Sequence, residues 1–163
     1  MKKSFRCAFS GVIFCLKSER NCRVHLAAAI YVLLSSAICR LSAGEWALVL
    51  LCIGLVTGAE LLNTAVEKLC DALHPEYSAA IGRVKDMAAG AVLMAALLSA
   101  AIGGIIFFNG EKLTRFFAFT ASHIAVTVLL LASLPAAAVF IFRRYDNDSK
   151  NSHDHHRGET KRR

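Results

Sequence analysis

The sequence is poor in the residues that mark loops and disordered segments, with two prolines and ten glycines among 163 residues. Charged residues make up only 19% of the chain, whereas 56% of it is hydrophobic. Disordered chains combine low hydrophobicity with abundant charge, so that class is excluded. A soluble globule of this length needs more polar surface than a mean hydropathy of +0.50 supplies. Because the apolar residues fall in long runs, we predict a small polytopic membrane protein.

Several familiar catalytic motifs are also missing from the sequence. It has no GxxxxGK(S/T) phosphate loop and no glycine-rich loop followed by the HRD and DFG patterns of protein kinases. GxSxG, HExxH and paired Cys/His metal patterns are absent too. The six cysteines show no CxxC spacing, and we interpret them as unpaired thiols that stay reduced or pack as small apolar groups. Any nucleotide chemistry here must use a different scaffold.

The basic residues are distributed unevenly between the two sides of the predicted membrane. If the apolar runs span the bilayer, 16 of the 19 lysines and arginines lie on one side, and only Arg40, Lys112 and Arg115 on the other. This positive-inside asymmetry predicts that both termini are cytosolic. The net charge of +7 also suits a nucleic-acid-binding protein, but apolar runs would not sort the charges of such a face. We therefore expect no nucleic-acid partner.

The periodicity of the chain predicts an all-α membrane protein that begins with an amphipathic helix over residues 1–23. One face of this helix is apolar and its flanks are basic, which favours a position on the cytosolic membrane surface. A short helix packed on the rest of the protein is the alternative. The apolar face comprises Phe5, Phe9, Val12, Ile13 and Leu16.

Three apolar runs predict a three-span core over residues 24–108. The spans are expected at 24–38, 46–65 and 87–108, joined by a short external turn and a cytosolic connection.

A fourth span is predicted within residues 109–142, where an external turn at Asn109-Gly110 precedes a helix over 116–142. Residues 143–163 are predicted to form a basic tail of disordered character. The tail contains His153-Asp154-His155-His156, which could hold a metal, although a solvated tail is the better interpretation because nothing fixes those ligands.

One helix face at the end of the second span concentrates polar side chains, and we call it the polar stripe: Glu60, Asn63, Thr64, Glu67 and Asp71. Ionisable groups at membrane depth are functional candidates. Stacked carboxylates repel each other unless a cation lies between them or one stays protonated. Magnesium prefers one or two carboxylates with phosphate oxygens, and a carboxylate at an apolar boundary can act as a general base. A purely structural polar network needs fewer acidic groups than this.

Two charged residues flank the polar stripe on the cytosolic side. Lys85 precedes the third span and suits a phosphate contact, although a flanking lysine of the positive-inside kind would look the same. Glu19 ends the amphipathic helix among arginines, where a solvated ion pair is the simple alternative.

Four stretches around the stripe carry a resemblance to a known family: Ala59-Glu60-Leu61-Leu62-Asn63-Thr64-Ala65-Val66-Glu67-Lys68, then Asp71, Pro75-Glu76-Tyr77 and Arg83-Val84-Lys85-Asp86-Met87-Ala88-Ala89-Gly90-Ala91-Val92. They resemble the prokaryotic integral-membrane diacylglycerol kinases. The stretch 18–25 is similar to the end of the surface helix in the undecaprenol-kinase-like branch of that family. The resemblance covers about residues 4–108, so the fourth span and the tail depart from the family pattern.

The resemblance implies a homotrimeric lipid kinase of the bacterial plasma (inner) membrane, with composite active sites, that uses MgATP. Its acceptor is diacylglycerol or undecaprenol, and the sequence leaves both open. By position, Glu60 matches the catalytic base at the lipid hydroxyl, with Asn63 to orient it. Glu19 and Glu67 match the residues that bind metal and nucleotide. The remaining matches to ATP-contacting positions are Glu76, Lys85 and Asp86.

A proton- or cation-coupled transporter built on Glu60 and Glu67 is the rival hypothesis. Transport sites usually lie near the bilayer midplane. The polar stripe is predicted at a cytosolic exit instead, which disfavours transport.

Overall fold

A computed structural model describes residues 2–73 and 78–143 of the chain. Within those ranges it consists of six helices: α1 Lys2–Ser18, α2 Arg20–Ile38, α3 Ala43–Leu73, α4 Ala79–Phe107, α5 Gly110–Ser122 and α6 Ile124–Phe142. Four of them, α2, α3, α4 and α6, are long and apolar enough to cross a membrane. The prediction of an all-α membrane protein is confirmed. The predictions for Glu76 and for the histidine-containing tail lie outside the described residues.

Helix α1 is separated from α2 by a single extended residue, Glu19, with φ −110° and ψ 128°. The α1 carbonyls that lose their helical partners here are bound by a side chain from the next helix. Arg23, which is 5% exposed, donates from Nη1 to Leu16 O at 3.0 Å and to Lys17 O at 3.2 Å. A guanidinium at the negative end of a helix is also favoured by the helix dipole. Arg23 therefore fixes the joint at which Glu19 lies.

The outward face of α1 is apolar, as its periodicity predicts. In the isolated chain Phe5 and Phe9 are 73% and 70% exposed, which a helix in water would not tolerate without a cover. A position on the membrane surface would bury both rings in lipid, and this placement stays a prediction.

Helices α3 and α4 pack along each other as an antiparallel pair, and α2 packs beside α3. Both helices of the pair are longer than predicted and extend beyond the apolar runs toward the connection that joins them. At the end of the pair away from this connection, the core is a cluster of Cys39, Leu41, Val49 and Ile106, against which Trp46, Phe107 and Phe116 pack. This arrangement directs the C-terminal part of α3, with the polar stripe, toward the α1–α2 joint.

The turn between α2 and α3 is fixed by two recognisable end motifs. Leu41 N donates to Ser36 O at 3.3 Å and Arg40 N to Ala37 O at 3.2 Å, which is the Schellman pattern at a helix C-terminus. Helix α3 then starts on a capping box, in which Ser42 N and Glu45 Oε2 are 2.9 Å apart. The Schellman pattern at the end of α2 requires a residue in the left-handed backbone conformation, and Arg40 occupies that position with φ 50°.

The predicted single helix over 116–142 is wrong, because the structure divides the segment into α5 and α6. Helix α5 starts earlier, at Gly110, where Asn109 Oδ1 accepts from Glu111 N at 3.0 Å. The break is at His123, with φ −120° and ψ 60°. Beside it, Thr127 Oγ1 donates to Thr120 O at 3.0 Å. Hydroxyl groups that compete for helix carbonyls in this way weaken a continuous helix.

Helix α6 runs antiparallel to α2 and is joined to it by two hydrogen bonds at different positions along the helices. Tyr31 and Ser133 join their hydroxyls at 2.8 Å near the middle of both helices. At the end of α6, Arg23 Nε donates to Ile141 O at 3.1 Å. At the opposite end of the segment, Lys112 forms an ion pair with Glu45. The C-terminal segment thus begins beside the cluster that contains Cys39 and Ile106 and returns to the α1–α2 joint.

We expect Arg40→Gly to raise the stability of the protein by about 1 kcal/mol, because glycine adopts the left-handed conformation without the steric cost of a Cβ atom. The thermal unfolding midpoint in detergent, followed by circular dichroism, measures the change. Arg40→Ala is the matched control, since it removes the same charge but keeps the Cβ atom. Equal midpoints for the two variants would contradict the prediction.

Candidate active site

The N-terminal part of the polar stripe is buried where α3 meets the first two helices. Glu60, Asn63 and Thr64 are 2%, 7% and 4% exposed. Burial of a carboxylate at this level is costly unless it is paired or protonated. Among residues 2–73 and 78–143, no hydrogen bond or ion pair joins Glu60 to another side chain. The carboxylate is thus buried without being engaged by the described part of the protein.

Asn63 contacts Glu67 and not Glu60. Its Nδ2 donates to Glu67 Oε1 at 3.0 Å, one helical turn along α3. The expectation that Asn63 orients Glu60 is therefore not reproduced in the chain alone. The other side of the amide is the more informative one, because Asn63 Oδ1 is buried and has no partner among the described residues. An unsatisfied buried acceptor of this kind calls for a donor or a cation.

Glu19 reaches the stripe from the α1–α2 joint. Its Oε1 lies 3.3 Å from Nζ of Lys68, which belongs to the exposed side of α3. Glu19 and Glu67 both lie within electrostatic reach of Glu60. Within the part of the chain that the structure describes, these three do not form a closed cluster with metal-ligand geometry.

Lys85, on α4, lies across from the C-terminal part of the stripe. Its Nζ forms a 2.5 Å ion pair with Asp71 Oδ1, and it is also within electrostatic reach of Glu67. Both partners are substantially exposed, so this pair contributes little stability and is easily exchanged for another anion. The predicted ATP contact Asp86 is exposed and has no ion-pair partner among the described residues. Glu76 lies outside those residues.

Two side chains that help to build this site, Arg23 and Lys68, were not predicted from the sequence. Arg23 fixes the position of Glu19 through the α1 carbonyls, and Lys68 neutralises Glu19. A signal for Arg23 was available, because a buried arginine in the first turn of an apolar span must have acceptors nearby. No sequence signal distinguished Lys68, since a lysine after a span is typical of the cytosolic side of any membrane protein.

The donor atoms suit a hard divalent cation. Glu19, Glu67 and Asn63 Oδ1 offer only oxygen, which is what Mg²⁺ prefers, and two carboxylates leave coordination positions for phosphate and water. The buried, unpartnered Asn63 Oδ1 is the observation that makes the fit specific. A group with several phosphates could then contact both the cation and Lys85.

A family model described as prokaryotic diacylglycerol kinase matches residues 6–107. The chain belongs to this family. It is accordingly a lipid kinase, a phosphotransferase with an alcohol acceptor, and a multi-pass bacterial membrane protein. Membership gives no support to the transporter alternative. The match ends where α4 ends, so α5 and α6 lie outside it.

Two curated relatives are similar to the same part of the chain. Undecaprenol kinase of Bacillus subtilis (strain 168) is 40% identical over 105 residues, which cover 64% of this chain and 85% of that protein. Diacylglycerol kinase of Synechocystis sp. (strain ATCC 27184 / PCC 6803 / Kazusa) is 36% identical over 104 residues, 63% of this chain. This second match spans only 59% of the Synechocystis protein. No solved structure matches the chain significantly.

We expect Glu60→Gln to raise the free energy of unfolding by at least about 1 kcal/mol, because it removes a buried charge that has no partner in the chain. The thermal midpoint in detergent measures this change. Glu111→Gln is the control: Glu111 is exposed on α5 and pairs with Arg115, so loss of this surface pair should alter stability by less than about 0.5 kcal/mol. A lower midpoint for Glu60→Gln than for the wild type would show that the Glu60 carboxylate is stabilising.

Proposed function

We propose that the chain transfers the γ-phosphate of MgATP to the hydroxyl of a membrane lipid, with Glu60 as the general base. The observation that carries this proposal is the nearly complete burial of Glu60, at 2% exposure, on the face of α3 that also bears Asn63 and Glu67. A lipid hydroxyl at the membrane boundary can reach such a carboxylate. Phosphoryl transfer needs mainly positioning and charge neutralisation, which a few residues on fixed helices can supply.

The reaction requires one proton transfer and one displacement. Glu60 takes the proton of the lipid hydroxyl as its oxygen attacks the γ-phosphorus. The bond from that phosphorus to the bridging β–γ oxygen breaks, and ADP leaves. Glu67 lies seven residues further along α3, which places it about 10 Å nearer the cytosol. Lipid from the membrane and nucleotide from the cytosol would meet between these two residues.

We assign magnesium to Glu19, Glu67 and Asn63 Oδ1. When bound, the ion would neutralise the charge of the nucleotide phosphates and so favour the departure of ADP. Glu19 exchanges Lys68 for the ion, from an ion pair that is partly exposed and weak. Asn63 already holds Glu67 through Nδ2, which leaves Oδ1 for the ion.

We assign the nucleotide to the cytosolic ends of α3 and α4. Lys85 leaves Asp71 and contacts the phosphates as a point charge. Asp86 follows Lys85 on α4 and is exposed to solvent, so it is free to contact ATP. The same proposal includes Glu76.

For the acceptor we favour undecaprenol over diacylglycerol. The match to the Bacillus subtilis undecaprenol kinase is the more similar of the two and covers more of the relative, 85% against 59%. Diacylglycerol stays the alternative, since both lipids present a hydroxyl at the membrane boundary.

The assembly and its orientation complete the proposal. We place the protein in the bacterial plasma (inner) membrane as a homotrimer, with both termini cytosolic. The orientation is supported by the concentration of 16 of the 19 lysines and arginines on one side of the predicted spans, since basic residues favour the cytosolic side. The trimer rests on the family resemblance, and the lack of a closed metal-ligand cluster in the described part of one chain is compatible with sites completed by a neighbouring subunit.

Glu60→Gln should lower kcat for lipid phosphorylation by about 10²–10⁴-fold, because general base catalysis contributes that much. Transfer of labelled γ-phosphate in mixed micelles measures it. Glu111→Gln, a carboxylate at the opposite end of the core, should keep full activity. The elution volume of Glu60→Gln on size exclusion must equal that of the wild type; near-normal kcat in such a protein would remove Glu60 as the base.

Lys85→Ala should raise KM for MgATP by about tenfold, which is the order of a charged phosphate contact worth about 1.4 kcal/mol. The KM for the lipid should change much less. Initial rates at varied MgATP and fixed lipid measure the difference. Arg83→Ala, an exposed basic residue on the same turn of α4, serves as the control. Equal effects of the two variants would reduce Lys85 to a flanking lysine.

A further inference from the structure

Two cysteine thiols lie in contact at the α1–α2 joint. Cys15 Sγ, in the last turn of α1, is 2.7 Å from Cys22 Sγ, in the first turn of α2. Both residues are buried, at 1% and 8% exposure, and both are free thiols in the structure. Of the four other cysteines, none has a cysteine within hydrogen-bond distance among the described residues. The pair is thus a specific feature of the joint rather than a consequence of a cysteine-rich sequence.

The joint geometry explains why the two thiols meet. Seven residues separate them, which on one continuous helix would place them two turns, or about 10 Å, apart. The extended Glu19 folds α1 back against α2 and closes that distance. Arg23 holds the fold by binding the carbonyls of Leu16 and Lys17.

The pair also contacts the polar stripe. Cys15 Sγ is 3.4 Å from Oγ1 of Thr64, which directly follows Asn63 on α3. Glu19 lies in the chain between the two cysteines and reaches the same stripe through Lys68. A change in the bonding of these sulfurs therefore acts on the segment that carries Glu19.

We propose that Cys15 and Cys22 form a redox modification site: a hydroperoxide joins them in a disulfide that clamps α1 to α2 and lowers the kinase activity. The two thiols are kept reduced in a reducing cytosol and become linked under oxidising conditions. The effect on activity rests on the proposed role of Glu19, whereas formation of the disulfide does not.

The chemistry balances with one peroxide. One thiol loses its proton and attacks a peroxide oxygen, the O–O bond breaks, and a sulfenic acid and water result. The second thiol then attacks that sulfur, so that the S–S bond forms and a second water leaves. The two sulfurs lose two electrons in total, and hydrogen peroxide gains them. The sulfurs approach from 2.7 Å to about 2.05 Å, so closure needs little movement. Contact also gives the second step a high effective concentration.

The link would hold Glu19 in its present position. In the structure that position pairs Glu19 with Lys68. To hold the ion, the segment that carries Glu19 would have to turn its carboxylate away from Lys68, and a covalent bond between the residues on its two sides restricts this motion. Oxidation should therefore lower kcat, and a thiol reductant should restore it.

The test uses the full chain with Cys7→Ser, which removes the exposed cysteine from the peptide that contains Cys15. The purified protein is treated with hydrogen peroxide, unfolded in denaturant that contains N-ethylmaleimide so that buried free thiols are also blocked, and digested with trypsin. Cleavage after Lys17 and Arg20 separates the two cysteines, onto residues 7–17 and 21–23. A disulfide then appears in mass spectrometry as a single species that joins these two peptides and separates on reduction.

We expect this species to form, kcat to fall by at least about tenfold, and dithiothreitol to reverse both. Cys15→Ala and Cys22→Ala should each resist the loss of activity, whereas Cys70→Ala, another buried cysteine, should remain sensitive. Two results overturn the proposal: Cys15 and Cys22 stay available to N-ethylmaleimide after oxidation, or the disulfide forms and activity is unchanged.

Failure of the proposed function would be recognised separately. The reduced protein would then phosphorylate no lipid, while the joined peptides would still be measured. In that case the thermal unfolding midpoint shows whether the disulfide restrains α1 against α2. A higher midpoint after oxidation, reversed by dithiothreitol and absent in Cys22→Ala, supports it, and an unchanged midpoint overturns it.

Discussion

The burial of the Glu60 carboxylate is the constraint on which the rest of the structure depends. Burial of a charged group without a partner lowers the folding stability by several kcal/mol. Glu60 is nevertheless buried where α3 meets α1 and α2. The neighbouring residues are arranged around it: Asn63 holds Glu67, Lys68 neutralises Glu19, and Asp71 engages Lys85. The Glu19–Lys68 and Asp71–Lys85 pairs are partly exposed, so in the proposed reaction a phosphate-bearing substrate displaces them, whereas Glu60 stays available for the lipid.

The C-terminal segment, which the family match does not include, packs against the same joint. Helix α6 ends on Arg23, the same residue that binds the end of α1, so one guanidinium joins three helices at the joint that carries Glu19. The additional helix is thus packed on the side of α2 and leaves the exposed faces of α3 and α4 accessible to lipid or to other subunits.

The sequence predicts much of this site because helical periodicity is local. A rotation of about 100° per residue is enough to place Glu60, Asn63 and Glu67 on one face, and apolar run lengths are enough to find the spans. Three features could not be read in this way, because periodicity does not show which partner a side chain takes or where a helix breaks. Asn63 binds Glu67 rather than Glu60, the chain breaks at His123 between α5 and α6, and the bend at Glu19 brings Cys15 against Cys22.

The proposed lipid kinase activity is tested most directly by the transfer of labelled γ-phosphate from MgATP. The purified, folded protein is assayed in detergent micelles, with undecaprenol and diacylglycerol offered in parallel. We expect label in lipid, with undecaprenol the better acceptor. Absence of label in both lipids, from a protein that elutes as a single folded oligomer, would contradict the proposed activity.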